Sequence, residues 1–288
     1  MSKLLASSRA HAGCARHWLA TASLAGLACA ALQPDLAHSA TCTTPNLGAV
    51  AGVERSHWTE RDASSRVLVR ERGTLRMAGL QTSGTCADMD WLAQWTLARG
   101  QRDYDGLTNT HTPFQSHSSL QAQRLSLQAW LPLHAGWSTG PLLTYTAIAR
   151  DIAGQGNVLG YPERFRYFQA AIGARFQTAL TPDARLTASI WLGGGPRGRV
   201  KIDLPRFDPA TLSLGRSHML ALAVALEGGA ATDQPGWSWR GDLTYRYEQI
   251  NAGNARTLTR NGTPSGTALQ PRSEQRHWGA NVGVTYRF

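Results

Sequence analysis

Asp103 and Asp105 are the side chains of this sequence whose type and spacing best suit acid–base chemistry. Two close carboxylates do not both ionise easily, so one tends to keep a proton and the pair can bind and orient a water molecule. A histidine–aspartate couple facing such a pair would serve as general base. The alternative interpretation is that Asp103 and Asp105 are turn and loop-cap residues beside Gly106.

Arginine is the second chemically informative residue type. The chain has a formal net charge of +10, and after Lys3 its only lysine is Lys201. Guanidinium groups suit phosphate and carboxylate partners, which makes lipopolysaccharide a candidate ligand for a protein in an outer membrane. The aromatic residues form no stacking platform, and the histidines have no metal-ligand spacing. We therefore expect no nucleic-acid partner, no metal and no cofactor.

The last sixteen residues, Ser273–Phe288, indicate the element that positions these side chains. Large or apolar residues alternate there with polar or small ones, which predicts a strand with one apolar face. Its length and its terminal aromatic residue are typical of a strand that crosses a bilayer. Such an ending resembles the last strand of Gram-negative outer-membrane barrels, so Phe288 is expected to engage the barrel-assembly machinery. The predicted membrane girdle comprises Trp91, Trp237, Tyr286 and Phe288.

The same alternation recurs along the chain and predicts an all-β fold, a transmembrane antiparallel up-and-down β-barrel of about ten strands. Eight or twelve strands are the alternatives, because the first strand has a weak pattern. Gap lengths alternate between short and long, which places short turns in the periplasm and long loops outside. The predicted strands are 48–60, 67–80, 89–102, 121–133, 139–150, 164–180, 185–194, 216–227, 237–249 and 273–288.

Strand alternation also predicts which arginines face the lumen: Arg70, Arg72, Arg76, Arg124, Arg175, Arg240 and Arg246. On the second predicted strand, 67–80, this prediction places Val69, Leu75 and Met77 against lipid. Inward acids are fewer. A lumen of about ten strands is narrow, so these arginines either fill it with ion pairs or line a narrow anion-selective path.

The N-terminus predicts export. A basic segment with Lys3 and Arg9 precedes an apolar run from Trp18 to Leu32, and small residues around Ala40 suit a signal peptidase. We expect a signal peptide over 1–40, a barrel over 41–288 and location in the outer membrane of a Gram-negative bacterium. Cys42 and Cys86 then lie at the periplasmic end in an oxidising compartment, where a disulfide is expected. Two unpaired thiols are the alternative.

The strand plan resembles that of the omptin family of outer-membrane endoproteases. Local matches are Leu47–Arg55, Gly160–Phe165 and the D-x-D of Asp103-Tyr104-Asp105, where omptins carry two catalytic aspartates. The resemblance implies a histidine–aspartate couple before strand eight in a D-x-H pattern. This chain has Asp203-Leu204-Pro205 there instead, so His218 is the substitute candidate.

Because the catalytic set is incomplete, we expect a non-enzymatic, monomeric surface protein rather than an enzyme. Its loops would contact lipopolysaccharide or external polymers, and its wall would contact outer-membrane lipid. The alternatives are an omptin-like endoprotease that uses Asp103, Asp105 and His218, and a narrow anion-selective pore.

Overall fold

The computed structural model describes residues 42–107, 112–229 and 235–288. The predicted signal peptide, residues 1–40, lies outside these ranges. Within them the regular secondary structure consists of fourteen β-strands. No helix among the described residues has the length and apolar character needed to cross a membrane.

Ten of the strands pair antiparallel in one closed ring, each with its neighbours in chain order. The last of them, β14, returns to pair with β1, so the ring has no free edge. This confirms the predicted ten-stranded up-and-down barrel. Its strands are β1 Asn46–Arg61, β2 Val67–Cys86, β3 Met89–Leu107, β4 Pro113–Pro132, β5 Trp137–Ile152, β6 Tyr161–Thr181, β7 Ala184–Gly195, β10 Ser217–Gly229, β11 Gly236–Ile250 and β14 Arg272–Arg287.

The two ends of the barrel differ in their connections. At one end, here called the turn end, short connections join β2 to β3 and β6 to β7. At the other, the loop end, the longer connections carry two hairpins that the sequence analysis treated as loops. The first consists of β8 Arg199–Ile202 and β9 Ala210–Ser213, and it extends the sheet from β6. The second consists of β12 Arg256–Arg260 and β13 Thr263–Ala268.

A disulfide joins Cys42 to Cys86 at the turn end, which confirms the predicted bridge. Backbone bonds support the same junction, because Thr43 N donates to Thr85 O at 2.9 Å. The bridge therefore attaches the segment before β1 to the end of β2.

Alternation places apolar side chains on both the outer and the inner face of the barrel, but at different positions along its axis. On the outward wall, exposed large apolar residues recur round the ring, among them Leu47, Val53, Leu222, Leu243 and Val282. Inside, a buried cluster lies at the loop end and includes Trp58, Leu75, Phe165, Val200 and Leu212. A smaller cluster of Trp130, Leu142, Trp191 and Met219 lies nearer the turn end. The core is therefore the lumen itself.

Candidate functional site

The structure does not bring the predicted catalytic residues together, which corrects that assignment. Asp103 and Asp105 are exposed on the outward face of β3, inside the strand rather than in a turn. His218 is exposed on the outward face of β10. β3 and β10 are five strands apart in both directions round the ring, so the whole barrel separates the aspartates from the histidine.

The phase of β3 explains this outcome. Arg102 and Tyr104 are buried in the lumen, and successive side chains of a strand point to opposite faces. The aspartates beside them must therefore face outward. In register, Asp103 lies opposite Arg72 on β2 and His117 on β4. The D-x-D motif thus belongs to the outer surface of the wall.

Four of the seven predicted luminal arginines do face inward, and each has an acidic neighbour. Arg175 Nη2 lies 2.6 Å from Asp90, and Arg124 Nη1 lies 4.0 Å from Glu54. Arg240 pairs with Glu227 and Asp242, and Arg246 pairs with Glu248.

The prediction was wrong for Arg70, Arg72 and Arg76, which are exposed on the outward face of β2. Val69 and Leu75 alternate with them and are buried inside. Polar side chains face inward only where the outer face of the barrel meets lipid, and the prediction applied this rule along the whole of β2. Toward the loop end of β2 the outer wall carries polar groups and the interior is the apolar core, so the rule reverses.

Sequence reasoning missed the main charged group of the lumen, the buried glutamate–arginine cluster of Glu60, Glu71, Arg102, Arg150 and Glu163. Arg150 Nη1 lies 2.7 Å from Glu60 and 2.9 Å from Glu163. Arg150 Nε donates to Glu71 at 2.9 Å. Arg102 Nη1 donates to the other oxygen of Glu71 at 3.1 Å.

This cluster connects five strands at the loop end of the lumen, because its members lie on β1, β2, β3, β5 and β6. Trp58 supports it from β1: its indole nitrogen donates to Glu60 at 2.9 Å, and the Arg150 guanidinium lies 5.0 Å from its ring. Leu80 on β2 is exposed and faces outward. Counting alternate residues back from Leu80 would have placed Glu71 on the inward face. Alternation likewise places Arg102 and Arg150 on the faces opposite the exposed Trp95 and Tyr145. It gives no sign that they are fully buried, which is rare for charged residues.

A second polar group lies beside the first and contains Glu54, Arg124 and His277. His277 Nδ1 lies 2.7 Å from Glu54, and its Nε2 lies 3.3 Å from the side-chain oxygen of Gln275. Nearby, Tyr167 donates to Glu248 at 2.7 Å, and Arg246 donates to Gln169 at 2.8 Å. Ion pairs and apolar packing together fill this part of the lumen.

The outward wall has an apolar band with aromatic residues near its margins. Trp237, Tyr286 and Phe288 lie near the turn end, with ring centroids 5.1 Å apart in each successive pair. Trp91 also lies there, opposite Gly84 in the register of β2 and β3. On the loop side, the rings of Tyr245 and Trp278 lie 4.4 Å apart. A continuous exposed apolar surface of this kind is the signature of a lipid-facing wall.

Arginines without acidic partners occur where this band ends toward the loop end. Arg76 and Arg99 lie directly opposite each other in register, and both are exposed. Val53 on β1 is opposite Arg76. Arg55, also exposed, lies two residues after Val53 on the same face of β1. Within the described part of the chain, none of these three makes an ion pair. We call Arg55, Arg76 and Arg99 the arginine rim.

A second set of exposed cations lies on β6 and β8, separated from the arginine rim by β4 and β5. Arg164 is opposite Lys201, and Arg166 is opposite Arg199, across β6 and β8. Phe168, just below on β6, belongs to the apolar band. Like charges directly opposite on a sheet are destabilising. Both sets therefore present positive charge that the described carboxylates leave unneutralised.

Closed pairing, a lipid-facing band and a filled polar lumen define a transmembrane β-barrel of the outer-membrane type. No protein-family model and no curated protein matches the sequence. Solved structures that are similar in fold include the outer membrane protease OmpT from Escherichia coli, at 10% identity, TM-score 0.49, 86% of this chain and 98% of that one.

Two further structures share the fold at comparable identity. The β domain of the Bordetella autotransporter BrkA has 11% identity and a TM-score of 0.42, and covers 85% of this chain and 100% of its own. Neisserial surface protein A has 10% identity and a TM-score of 0.35, and covers 86% and 99%. At these identities the similarity concerns the fold alone.

Proposed function

We propose that this protein is a non-enzymatic surface barrel of the Gram-negative outer membrane that binds lipopolysaccharide through outward arginines. The signal peptide over 1–40 would be removed on export, and the loop end would face the exterior. The single observation that carries the proposal is the arginine rim, in which Arg76 and Arg99 face each other at the margin of the apolar band.

The position of the rim supports a lipid ligand. Ala78 and Leu80 follow Arg76 toward the turn end on the same face of β2, and Leu97 and Trp95 follow Arg99 on β3. Side chains two apart on a strand are about 7 Å apart along it, so the guanidinium groups lie at the level where acyl chains give way to headgroups. Lipid A phosphates occupy that level.

The chemistry of the rim supports a phosphate. Guanidinium groups form charge-assisted, often bidentate hydrogen bonds with phosphate oxygens. An anion between Arg76 and Arg99 would convert cross-strand repulsion into two favourable contacts. The cations of β6 and β8 would contact a further phosphate of the same lipid layer. This revises the expectation that loops alone contact lipopolysaccharide.

The test is a titration of the refolded barrel in zwitterionic micelles with lipopolysaccharide and with lipopolysaccharide stripped of its lipid A phosphates. The triple variant Arg55→Gln, Arg76→Gln, Arg99→Gln is expected to weaken binding at least about tenfold, the loss of one or more charge-assisted contacts. Removal of the phosphates should reduce wild-type binding by a similar factor.

A matched control removes the same charge elsewhere on the loop end: Arg216→Gln, Arg256→Gln, Arg260→Gln, three exposed arginines outside the rim. This control should bind like the wild type. Equal weakening of both triple variants would indicate a general charge effect and contradict the proposed site. Unchanged binding after phosphate removal would contradict the proposed ligand.

A further inference from the structure

Three basic side chains lie next to each other on the outer face of the barrel, beyond the arginine rim. In register, His57 on β1 is opposite both Arg72 on β2 and Arg276 on β14. Both arginines are exposed, and His57 is partly exposed. We call these three residues the cation row. In an inference that rests on the proposed function, we propose that the cation row binds carboxylates of the acidic sugars that adjoin lipid A in lipopolysaccharide.

The position of the cation row along the barrel axis suits a sugar. Arg55 of the arginine rim is opposite Trp278, an aromatic residue at the loop-side margin of the apolar band. His57 follows two residues later on the same face of β1, about 7 Å further toward the loop end. The proposed function places the rim at the level of the lipid A phosphates. The cation row therefore lies where the first core sugars begin, and these sugars carry carboxylates.

The neighbouring carboxylates leave the cation row available to a ligand. Glu274, the acidic residue of β14, lies 3.4 Å from Arg61 and 3.3 Å from Arg272. Asp103 on β3 is opposite Arg72 but forms no ion pair with it. Within the ranges that the structure describes, no member of the row forms an ion pair. An external carboxylate would therefore meet these cations without a competing acidic partner.

The order of the three side chains places His57 between two guanidinium groups. Side chains directly opposite on a sheet have Cβ atoms roughly 5 Å apart, so one sugar can contact neighbouring members of the row. The Arg276 guanidinium lies 5.9 Å from the ring centre of Tyr247 on β11, which orients it on one side of His57. Guanidinium groups bind carboxylates through charge-assisted, often bidentate hydrogen bonds. An anion beside His57 would be flanked by these donors.

His57 makes binding at the row dependent on pH. The charged and titratable groups round it on β1, β2 and β14 are Arg55, Arg70, Arg72, Glu274 and Arg276, with His277 on the lumen side. Partial burial lowers the pKa of His57 below its ordinary value, and the charges of Arg55 and of the two arginines in the row lower it further. A bound carboxylate favours the imidazolium, so binding should become tighter as the pH falls and His57 gains its proton.

The test measures the affinity of the refolded barrel, in zwitterionic micelles, for lipid A and for lipid A that carries deoxy-octulosonic acid sugars. Both lipids have the same phosphates, so the ratio of the two affinities isolates the contribution of the sugar carboxylates. The wild type is expected to bind the sugar-bearing lipid about tenfold more tightly near neutral pH, the effect of one charge-assisted contact. This ratio should be about threefold larger near pH 5.5, where His57 is protonated.

The double variant Arg72→Gln, Arg276→Gln should reduce the ratio to near one. His57→Gln should abolish its increase on acidification, whereas the control His117→Gln, which removes an exposed histidine of β4, should retain that increase. Equal wild-type affinities for the two lipids, or a ratio unchanged in the double variant or still increasing in His57→Gln, would overturn this inference alone. Failure of the wild type to bind either lipid would overturn the proposed function as well.

Discussion

At the scale of single residues, the buried glutamate–arginine cluster decides how the loop end of the lumen is built. Arg150 is 1% exposed and contacts carboxylates from three different strands. A buried ion pair adds little net stability when it is intact, but loss of one partner leaves unbalanced buried charge. Arg150 is the shared partner, so it is the most sensitive member.

We expect Arg150→Met to lower the free energy of unfolding by about 3–5 kcal/mol, because Glu60, Glu71 and Glu163 then lose their common cation. Urea unfolding of the refolded barrel in micelles measures this change. Arg164→Met removes an exposed arginine from the same end of the barrel and should change stability by less than about 0.5 kcal/mol. Equal losses in both variants would show that the buried contacts contribute nothing specific.

At the scale of elements, Asp208 determines the conformation of the β12–β13 hairpin. Its carboxylate accepts from Thr259 Oγ1 at 2.6 Å, Gly262 N at 3.0 Å and Asn261 N at 3.2 Å. Asn261 and Gly262 both have positive φ, 49° and 76°, as a tight hairpin turn requires. The bond from Thr259, followed by those from the turn amides, lowers the pKa of Asp208 below its ordinary value.

A lowered pKa in the folded state stabilises the hairpin above the ordinary aspartate pKa, and this stabilisation is lost as the pH falls through the lowered value. Hydrogen exchange of residues 256–268, corrected for intrinsic rates, should therefore become faster on acidification. Asp208→Ala should show the fast exchange already at neutral pH, whereas Asp203→Ala should behave as wild type. Wild-type protection in Asp208→Ala would contradict this role.

At the scale of the whole molecule, the lumen is filled by side chains rather than by a column of solvent at the loop end. Trp58, Leu75, Phe165, Val200 and Leu212 belong to one buried cluster there. The glutamate–arginine cluster lies against the same tryptophan. An ion entering from the turn end would have to displace both groups.

We therefore expect the purified barrel to give no stepwise ion conductance in a planar bilayer, because no ion can pass without displacing these buried groups. Triple substitution of Leu75, Phe165 and Leu212 by Ala would remove much of the apolar packing. This variant should conduct ions, provided that its strands still pair in a complete ring. Wild-type steps with anion selectivity would instead support the pore alternative.

Much of the fold was predictable because alternation is a local property. All ten barrel strands were predicted, seven of them within three residues of their observed bounds, but β4 begins eight residues earlier than predicted, and β2 and β3 end six and five residues later. The facing of β11 and β14 followed from Trp237 and Phe288. The Cys42–Cys86 bridge also followed, since strand order places both residues at one end. Export of the chain and removal of its signal peptide remain predictions.

The candidate sites were less predictable. They depend on whether the inner or the outer face of the barrel is polar at a given position along the barrel axis. Alternation on β2 assigns Arg70 and Glu71 to opposite faces but does not say which face is the lumen. Likewise, D-x-D spacing shows that Asp103 and Asp105 share a face, and only ring closure shows that His218 lies on the far wall.

The sequence by itself thus determined a strand-built membrane barrel, since period-2 patterning and chain order need no long-range information. Only the tertiary structure decided where charge is buried and where it is exposed. Arg150 meets three glutamates because ring closure brings β5 and β6 to face β1 and β2, strands distant in sequence. Such contacts depend on three-dimensional register, which residue spacing along one strand does not contain.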